Sequence, residues 1–176
     1  MLSGKEAINY YYLIFNPTMI TLEKQEIYSI LQQVCDPEVP VLTILDLGIV
    51  RDVKINGDEI QVIITPTYSG CPAMDAISID IKFKLIEHGY KKITITSILS
   101  PAWTTDWMSE DGKRKLQAYG IAAPHRLERA ALADDIICPQ CHSHNTKLLS
   151  QFGSTACKAL YQCNVCKEPF DYFKCH

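Results

Sequence analysis

Residues 50–64 read VRDVKINGDEIQVII, and this stretch decides the fold of the first part of the chain. From Ile60 to Ile64 every second side chain is apolar, which is the period of a strand with one buried face. The pair Asn56-Gly57 stands ahead of this run, and tight hairpin turns favour that dipeptide because their central residues need positive φ. The stretch therefore predicts a β-hairpin.

An amphipathic helix is predicted before the hairpin. Between Leu22 and Val34 apolar residues recur at the i, i+3, i+4, i+7 spacing of one helix face. Thr21 is suited to the N-cap position, where a hydroxyl accepts a hydrogen bond from a free backbone N–H. Pro37 and Pro40 prevent the helix from continuing.

A loop, a second helix and a third strand are predicted after the hairpin. Residues 65–74 read TPTYSGCPAM, a turn-rich stretch in which Pro72 suits the first turn of a helix. Apolar residues at helical spacing follow as far as Gly89. Residues 92–99, KITITSIL, alternate as a strand does. The order α-β-β-α-β predicts a small two-layer domain of the α+β class.

A stretch around two tryptophans follows this domain core. Trp103 and Trp107 flank three polar residues in an irregular segment. They indicate a plug over the sheet or a partner-binding surface, and packing in the core is an equal alternative. A short polar helix is predicted from Glu110 to Tyr119, and Gly120 ends it.

Four segments are predicted along the chain. Residues 1–20 form an extension that we expect to be poorly ordered, with Met19 as the working start. Residues 21–120 form the α/β domain, residues 121–136 a linker, and residues 137–176 a cysteine-rich metal module.

The composition is that of a soluble globular protein, with 47% hydrophobic and 21% charged residues. The net charge of −3 gives no electrostatic reason to expect nucleic acid or a membrane as partner. Six of the eight cysteines fall in residues 138–175, and no secretory signal is evident. We therefore expect a cytoplasmic protein whose thiolates hold metal.

The cysteine-rich end has the spacing of a zinc ribbon. Cys138 and Cys141 form one CxxC pair, and Cys163 and Cys166 form another, with 21 residues between the pairs. Two such turns can place four thiolates around one ion. About 40 residues bury too little core to fold alone, so metal binding would supply folding free energy. Disulfide pairing is the alternative.

Three further soft ligands lie near the C-terminus: Cys157, Cys175 and His176. Cys157 could be a small buried hydrophobe, and the terminal pair a local detail. Alternatively, the three belong to a second metal site, or to an iron–sulfur cluster held by a different set of cysteines. Zinc is favoured, because the ribbon spacing is satisfied without them.

A separate cysteine, Cys71, precedes Pro72 at the predicted start of the second helix. Backbone N–H groups and the positive end of the helix dipole would favour a thiolate there, the form that binds iron. Asp36 and Glu38 could be metal ligands or hydrogen-bond acceptors for this loop. The alternatives are a half-buried thiol at a helix N-cap and a solvated acidic turn. No base is near Cys71 in sequence, so an independent thiol enzyme has the weakest support.

Five segments together resemble the D subunits of phenylacetyl-CoA epoxidase. They are residues 36–53 (DPEVPVLTILDLGIVRDV), 65–74 (TPTYSGCPAM), 99–116 (LSPAWTTDWMSEDGKRKL), 152–163 (FGSTACKALYQC) and 168–176 (EPFDYFKCH). The first part also resembles the wider iron–sulfur-assembly domain family. That resemblance implies a small α/β fold in which the loop cysteine has the functional role. The matching positions here are Cys71, Asp36, Pro37, Glu38, Thr67 and Pro72.

The resemblance implies an accessory protein of a ring-epoxidising di-iron oxygenase in aerobic phenylacetate degradation. Its partners would be the oxygenase and reductase subunits, and its cofactors zinc with a transient iron ion or iron–sulfur cluster. The chain itself has no Glu-x-x-His pair for a di-iron centre, which favours a non-catalytic maturation factor. A structural subunit of the complex is the alternative, and a homo-oligomer is left open.

Overall fold

The computed structural model describes residues 22–124 and 136–174, and the first range forms an α/β domain. Its main elements in chain order are α1 (Leu22–Leu31), β1 (Val50–Asn56), β2 (Glu59–Ile64), α2 (Ala73–Glu87) and β3 (Lys92–Ser97). This is the predicted α-β-β-α-β order, so the α+β class of the domain is confirmed. The predicted extension, Thr21 and most of the predicted linker lie outside the described residues.

The hairpin forms as the sequence predicts. β1 and β2 pair antiparallel, with Val53 opposite Val62. Their turn is Gly57-Asp58, and Gly57 takes a φ of 63°, which a residue with a Cβ disfavours. β3 runs parallel to β2, and α2 provides the crossover that a parallel pair requires.

Both helices bury their predicted apolar stripes. α1 buries Ile27, Ile30 and Leu31, and Val34 is also buried although α1 ends at Leu31. On α2 the buried residues are Ala73, Ile77, Ile81 and Leu85, spaced by four residues. One hydrophobic core therefore joins the helices to the sheet.

A buried carboxylate ties the segment after β3 to the domain. This segment holds a short 3-10 helix (Thr105–Trp107) and α3 (Glu110–Ala118). Asp46 is 5% exposed and accepts hydrogen bonds from Ser109 Oγ at 2.9 Å and Lys115 Nζ at 2.7 Å. Burial alone would raise the pKa of Asp46, but the bonds from Lys115, Thr43 and Ser109 outweigh it and lower the pKa below its ordinary value.

The second described range forms a three-stranded antiparallel ribbon. Its strands are β4 (Thr146–Ser150), β5 (Lys158–Cys163) and β6 (Pro169–Phe173), with β5 in the centre. No helix in residues 22–124 or 136–174 has the length and apolar character needed to cross a bilayer. The predicted architecture of an α/β domain followed by a metal ribbon is confirmed.

The ribbon packs against the α/β domain through a shared core. Phe173 of β6 lies in the same hydrophobic cluster as the domain core, and its ring meets Trp103 edge to face at 6.2 Å. Ala122 donates to Asp171 O at 2.8 Å and accepts from Phe173 N at 3.0 Å. The start of the predicted linker is thus paired with β6. Of the two tryptophans, Trp103 is 3% exposed and serves core packing between the domains.

Candidate functional site

The four ribbon cysteines are brought together as the spacing predicts. Cys138 Sγ lies 3.7 Å from Cys166 Sγ, and Cys141 Sγ lies 3.5 Å from Cys163 Sγ. All four sulfurs lie within 4.8 Å of one another. A disulfide bond is about 2.05 Å long, so these sulfurs are not bonded in pairs. A tetrahedral zinc with bonds of about 2.3 Å sets its sulfurs about 3.8 Å apart, so the set fits that ion.

The two CxxC pairs have the same backbone turn. His142 N donates to Cys138 O at 2.9 Å, and Lys167 N donates to Cys163 O at 3.1 Å. His142 and Lys167 both have positive φ, at 58° and 68°, which turns the chain back after the second cysteine. Burial opposes ionisation of Cys163, but N–H groups of Cys166 and Val165 and the thiols of Cys141 and Cys166 lower its pKa to about 6. On the same turn the N–H of Glu168 lowers the pKa of Cys166, but burial and the three other thiols outweigh it and raise that pKa to about 12. The pKa therefore favours Cys163 as the thiolate of this pair.

Cys157 does not belong to this metal centre. It lies just before β5, whereas Cys163 ends that strand, and six residues of extended chain span about 20 Å. The strand therefore holds Cys157 apart from the ribbon sulfurs, and the prediction that it is a ligand concerns a separate site. Cys175 and His176 lie outside the described residues.

The loop cysteine sits where the sequence predicts, at the start of α2. Cys71 is half-buried, its N–H donates to Tyr68 O at 3.3 Å, and Pro72 occupies the N-cap position. Gly70 has a φ of 81°, which lets the chain turn sharply before the cysteine. Thr67 is half-buried on the same loop.

The acidic turn lies close to this loop, and its two carboxylates have different tasks. Asp36 Oδ1 accepts from the N–H groups of Glu38 and Val39, both at 2.8 Å. Asp36 thereby fixes the turn that presents Glu38. Glu38 Oε2 lies 3.7 Å from the sulfur of Cys157, whose thiol donates to it. Cys157, the ribbon cysteine outside the group of four, thus lies at the acidic turn of the α/β domain.

The surroundings of Cys71 disfavour a free thiolate. Burial raises its pKa, and the charges of Glu38 and Asp36 raise it further. The N–H of Ala73 and the hydroxyl of Tyr68 lower the pKa, as a helix start should, but they do not outweigh these effects. Of the two interpretations, a thiolate favoured by the helix start and a half-buried thiol at the N-cap, the raised pKa favours the second, because desolvation and two neighbouring acids oppose the helix end.

Cys157 has a similar setting. Its side chain is 5% exposed, and burial followed by the charges of Glu38 and Asp36 raises its pKa to about 11. Thr155 Oγ1 lies 3.0 Å from the sulfur, and this contact lowers the pKa, as does the neighbouring Lys158. The charges of Glu38 and Asp36 therefore raise the pKa of both thiols, and Glu38 is in contact with the thiol of Cys157.

Sequence reasoning missed Tyr68, whose hydroxyl is hydrogen-bonded to Cys71 and lies within the electrostatic influence of Glu38 and Cys157. Burial raises the pKa of Tyr68 to about 12, and the charges of Cys71, Glu38 and Cys157 add to the effect. A signal was present, because Tyr68 lies three residues before Cys71, the separation that a β-turn brings together. Thr155 lies two residues before Cys157 and was missed likewise.

With this geometry, comparison with known proteins identifies the family. The D subunit of "Putative 1,2-phenylacetyl-CoA epoxidase" from Escherichia coli K12 is 48% identical to this chain over 160 residues. The match covers 90% of this chain and 96% of that protein. The chain belongs to the phenylacetyl-CoA epoxidase D-subunit family, PaaD. The expected family is thus confirmed, and a PaaD protein is by name part of a larger enzyme complex.

Two family models divide this PaaD chain as the fold does. Residues 122–174 match the "PaaD zinc beta ribbon domain", and residues 24–89 match the "Iron-sulfur cluster assembly protein" family. An "Fe-S protein maturation auxiliary factor" of Porphyromonas gingivalis W83 is 35% identical over 95 residues, 53% of this chain and 90% of that protein. A DUF59 domain crystal structure from Bacillus anthracis is 30% identical, with a TM-score of 0.49 over 52% of this chain and 88% of its own.

Proposed function

We propose that this PaaD protein is a non-catalytic maturation factor for the epoxidase complex. It delivers iron, alone or as an iron–sulfur cluster, to the oxygenase or reductase subunits, and Cys71 is the transient ligand. The zinc ribbon keeps its own ion as a structural element. The observation that carries the proposal is the placement of Cys71 beside the acidic turn, at a thiol site separate from the ribbon's four sulfurs.

The chemistry of this site supports transfer rather than storage. Iron binds to thiolates and carboxylates, and the Cys71 thiol lies within the electrostatic influence of the Glu38 and Asp36 carboxylates. The raised pKa of Cys71 means that a proton competes with the metal at neutral pH, so the cargo is held less tightly than by a low-pKa thiol. The P. gingivalis relative, a maturation auxiliary factor by name, matches over the domain that carries Cys71.

Iron and acid-labile sulfide in the client proteins test the proposal. The oxygenase and reductase subunits are produced together with wild-type protein, with Cys71→Ser, or with Cys35→Ser as the matched control. Cys35 is an exposed cysteine, so the same substitution there removes a thiol without touching the site. We expect Cys71→Ser to lower the metal content of the clients and Cys35→Ser to leave it unchanged. A normal content of iron and acid-labile sulfide in client subunits produced with Cys71→Ser would contradict the ligand role of Cys71.

A structural subunit of the complex is the second candidate, and one surface favours it. Ile79, Phe83 and Ile86 form a stripe on α2 and are 69%, 55% and 58% exposed. Exposed apolar stripes of this kind mark protein–protein contacts. Stoichiometric co-purification with the oxygenase at every stage of its maturation would support this role. Release from the metal-loaded complex would support the maturation factor.

A further inference from the structure

We propose that Cys157 of the ribbon joins Cys71 and Glu38 of the α/β domain in a second metal site, which takes one thiophilic divalent cation, Fe²⁺ as cargo. This inference rests on the proposed function and names the form in which iron is carried. It also gives the ribbon a task beyond holding its own zinc, because the ribbon supplies one of the two thiols.

The ribbon loop that carries Cys157 is built to face the other domain. Lys174 N donates to Cys157 O at 3.0 Å, which ties the residue to the end of β6. Lys158 N donates to Thr155 O at 3.2 Å, so the two residues before β5 form a tight turn. From this support the Cys157 thiol reaches Glu38 Oε2 at 3.7 Å, between residues 119 positions apart in the chain.

Glu38 is in contact with one of the two thiols and acts on the other through its charge. It accepts from Cys157, and its negative charge also acts on Cys71 and on the Tyr68 hydroxyl that binds Cys71. Two sulfurs and one carboxylate form a mixed soft and hard set that suits Fe²⁺ better than Mg²⁺ or Ca²⁺, which take oxygen ligands.

Among the described residues, only the four ribbon cysteines already group as a metal site, so the second site requires Glu38 and Cys71 to move toward Cys157 when the cation binds. Glu38 is half-buried, whereas Cys157 is 5% exposed and its backbone is tied to the end of β6. Two thiol protons leave as the ion binds. A site that forms only on binding holds its ion less tightly than the preformed ribbon, as a carrier requires.

Cobalt titration of the full-length protein tests the inference. Co²⁺ takes the ligands that Fe²⁺ takes and reports thiolate ligation by charge-transfer absorption. The protein is first loaded with one equivalent of zinc, and anaerobic titration should then show a second equivalent bound through thiolates. We expect Cys157→Ser to weaken this step by more than about 100-fold, since losing a group that only orients a ligand already costs roughly 10–100-fold.

Two further variants complete the experiment. Glu38→Gln leaves both thiols in place and should weaken binding by about 10-fold or more while keeping the charge-transfer band. Cys35→Ser should bind as wild type does. Zinc content and far-UV circular dichroism establish that each variant is folded.

The outcomes separate this inference from the proposed function. Wild-type affinity and absorbance in folded Cys157→Ser would overturn the second site, as would the absence of a second cobalt equivalent in the wild type. If Cys71→Ser still prevented client maturation in that case, the proposed function would stand without the ribbon's thiol.

Discussion

Replacing Trp103 by alanine should loosen the ribbon from the α/β domain. The ring is 3% exposed, meets Phe173 at 6.2 Å, and its N–H donates to Leu47 O at 2.8 Å. Removing a buried tryptophan side chain costs about 3–5 kcal/mol. Trp103→Phe keeps most of the packing but leaves the Leu47 carbonyl without its donor, at a cost of about 1–3 kcal/mol.

Urea unfolding at constant zinc concentration, followed by far-UV circular dichroism, measures these losses. A double-mutant cycle with Phe173→Leu isolates the contact between the domains, and we expect a coupling of about 0.5–1.5 kcal/mol. A coupling near zero, or a loss below about 1 kcal/mol for Trp103→Ala, would refute the reasoning, because a ring buried between two packed domains must cost more.

Two further predictions concern buried polar groups. Asp46 has a lowered pKa, so its stabilising contribution is complete above the unfolded value of about 3.9 and is lost as pH falls through the lower folded value. Below pH ~4 the wild type should therefore lose stability more steeply than Asp46→Asn, in urea midpoints measured against pH, and equal slopes would contradict this. Thr65 Oγ1 is buried without a hydrogen-bond partner. Thr65→Val should therefore raise the unfolding free energy by about 1–2 kcal/mol, and a loss would show that the hydroxyl is satisfied.

Elements defined by short-range pattern follow directly from the sequence. The hairpin at Asn56-Gly57, the buried stripe of α2 and both CxxC knuckles depend on residues close together in the chain. Residue spacing alone predicts these features. The repeat of a strand, the repeat of a helix and the distance between the two sulfurs of a CxxC pair all depend on residues close together in the chain.

The thiol site was predictable only in part. Cys71 was found because its loop precedes a helix, but the sequence left the state of its thiol open between a thiolate and a half-buried thiol. The helix end was visible in the sequence, whereas the burial and the charge of Glu38 that oppose it were not. Cys157 was left open between a small buried residue and a ligand of a second site, because the sequence does not show that β5 carries it about 20 Å from Cys163.

The sequence by itself determined the family, the order of helices and strands, and the four ribbon ligands, since motif and period carry that information. Only the tertiary structure placed Trp103 between the domains and brought Cys157 to Glu38. These contacts join residues far apart in the chain, and their geometry depends on how two separately patterned domains pack. A sequence pattern within either domain does not predict that packing, because it depends on the shapes of the two domain surfaces and on the apolar area that both bury.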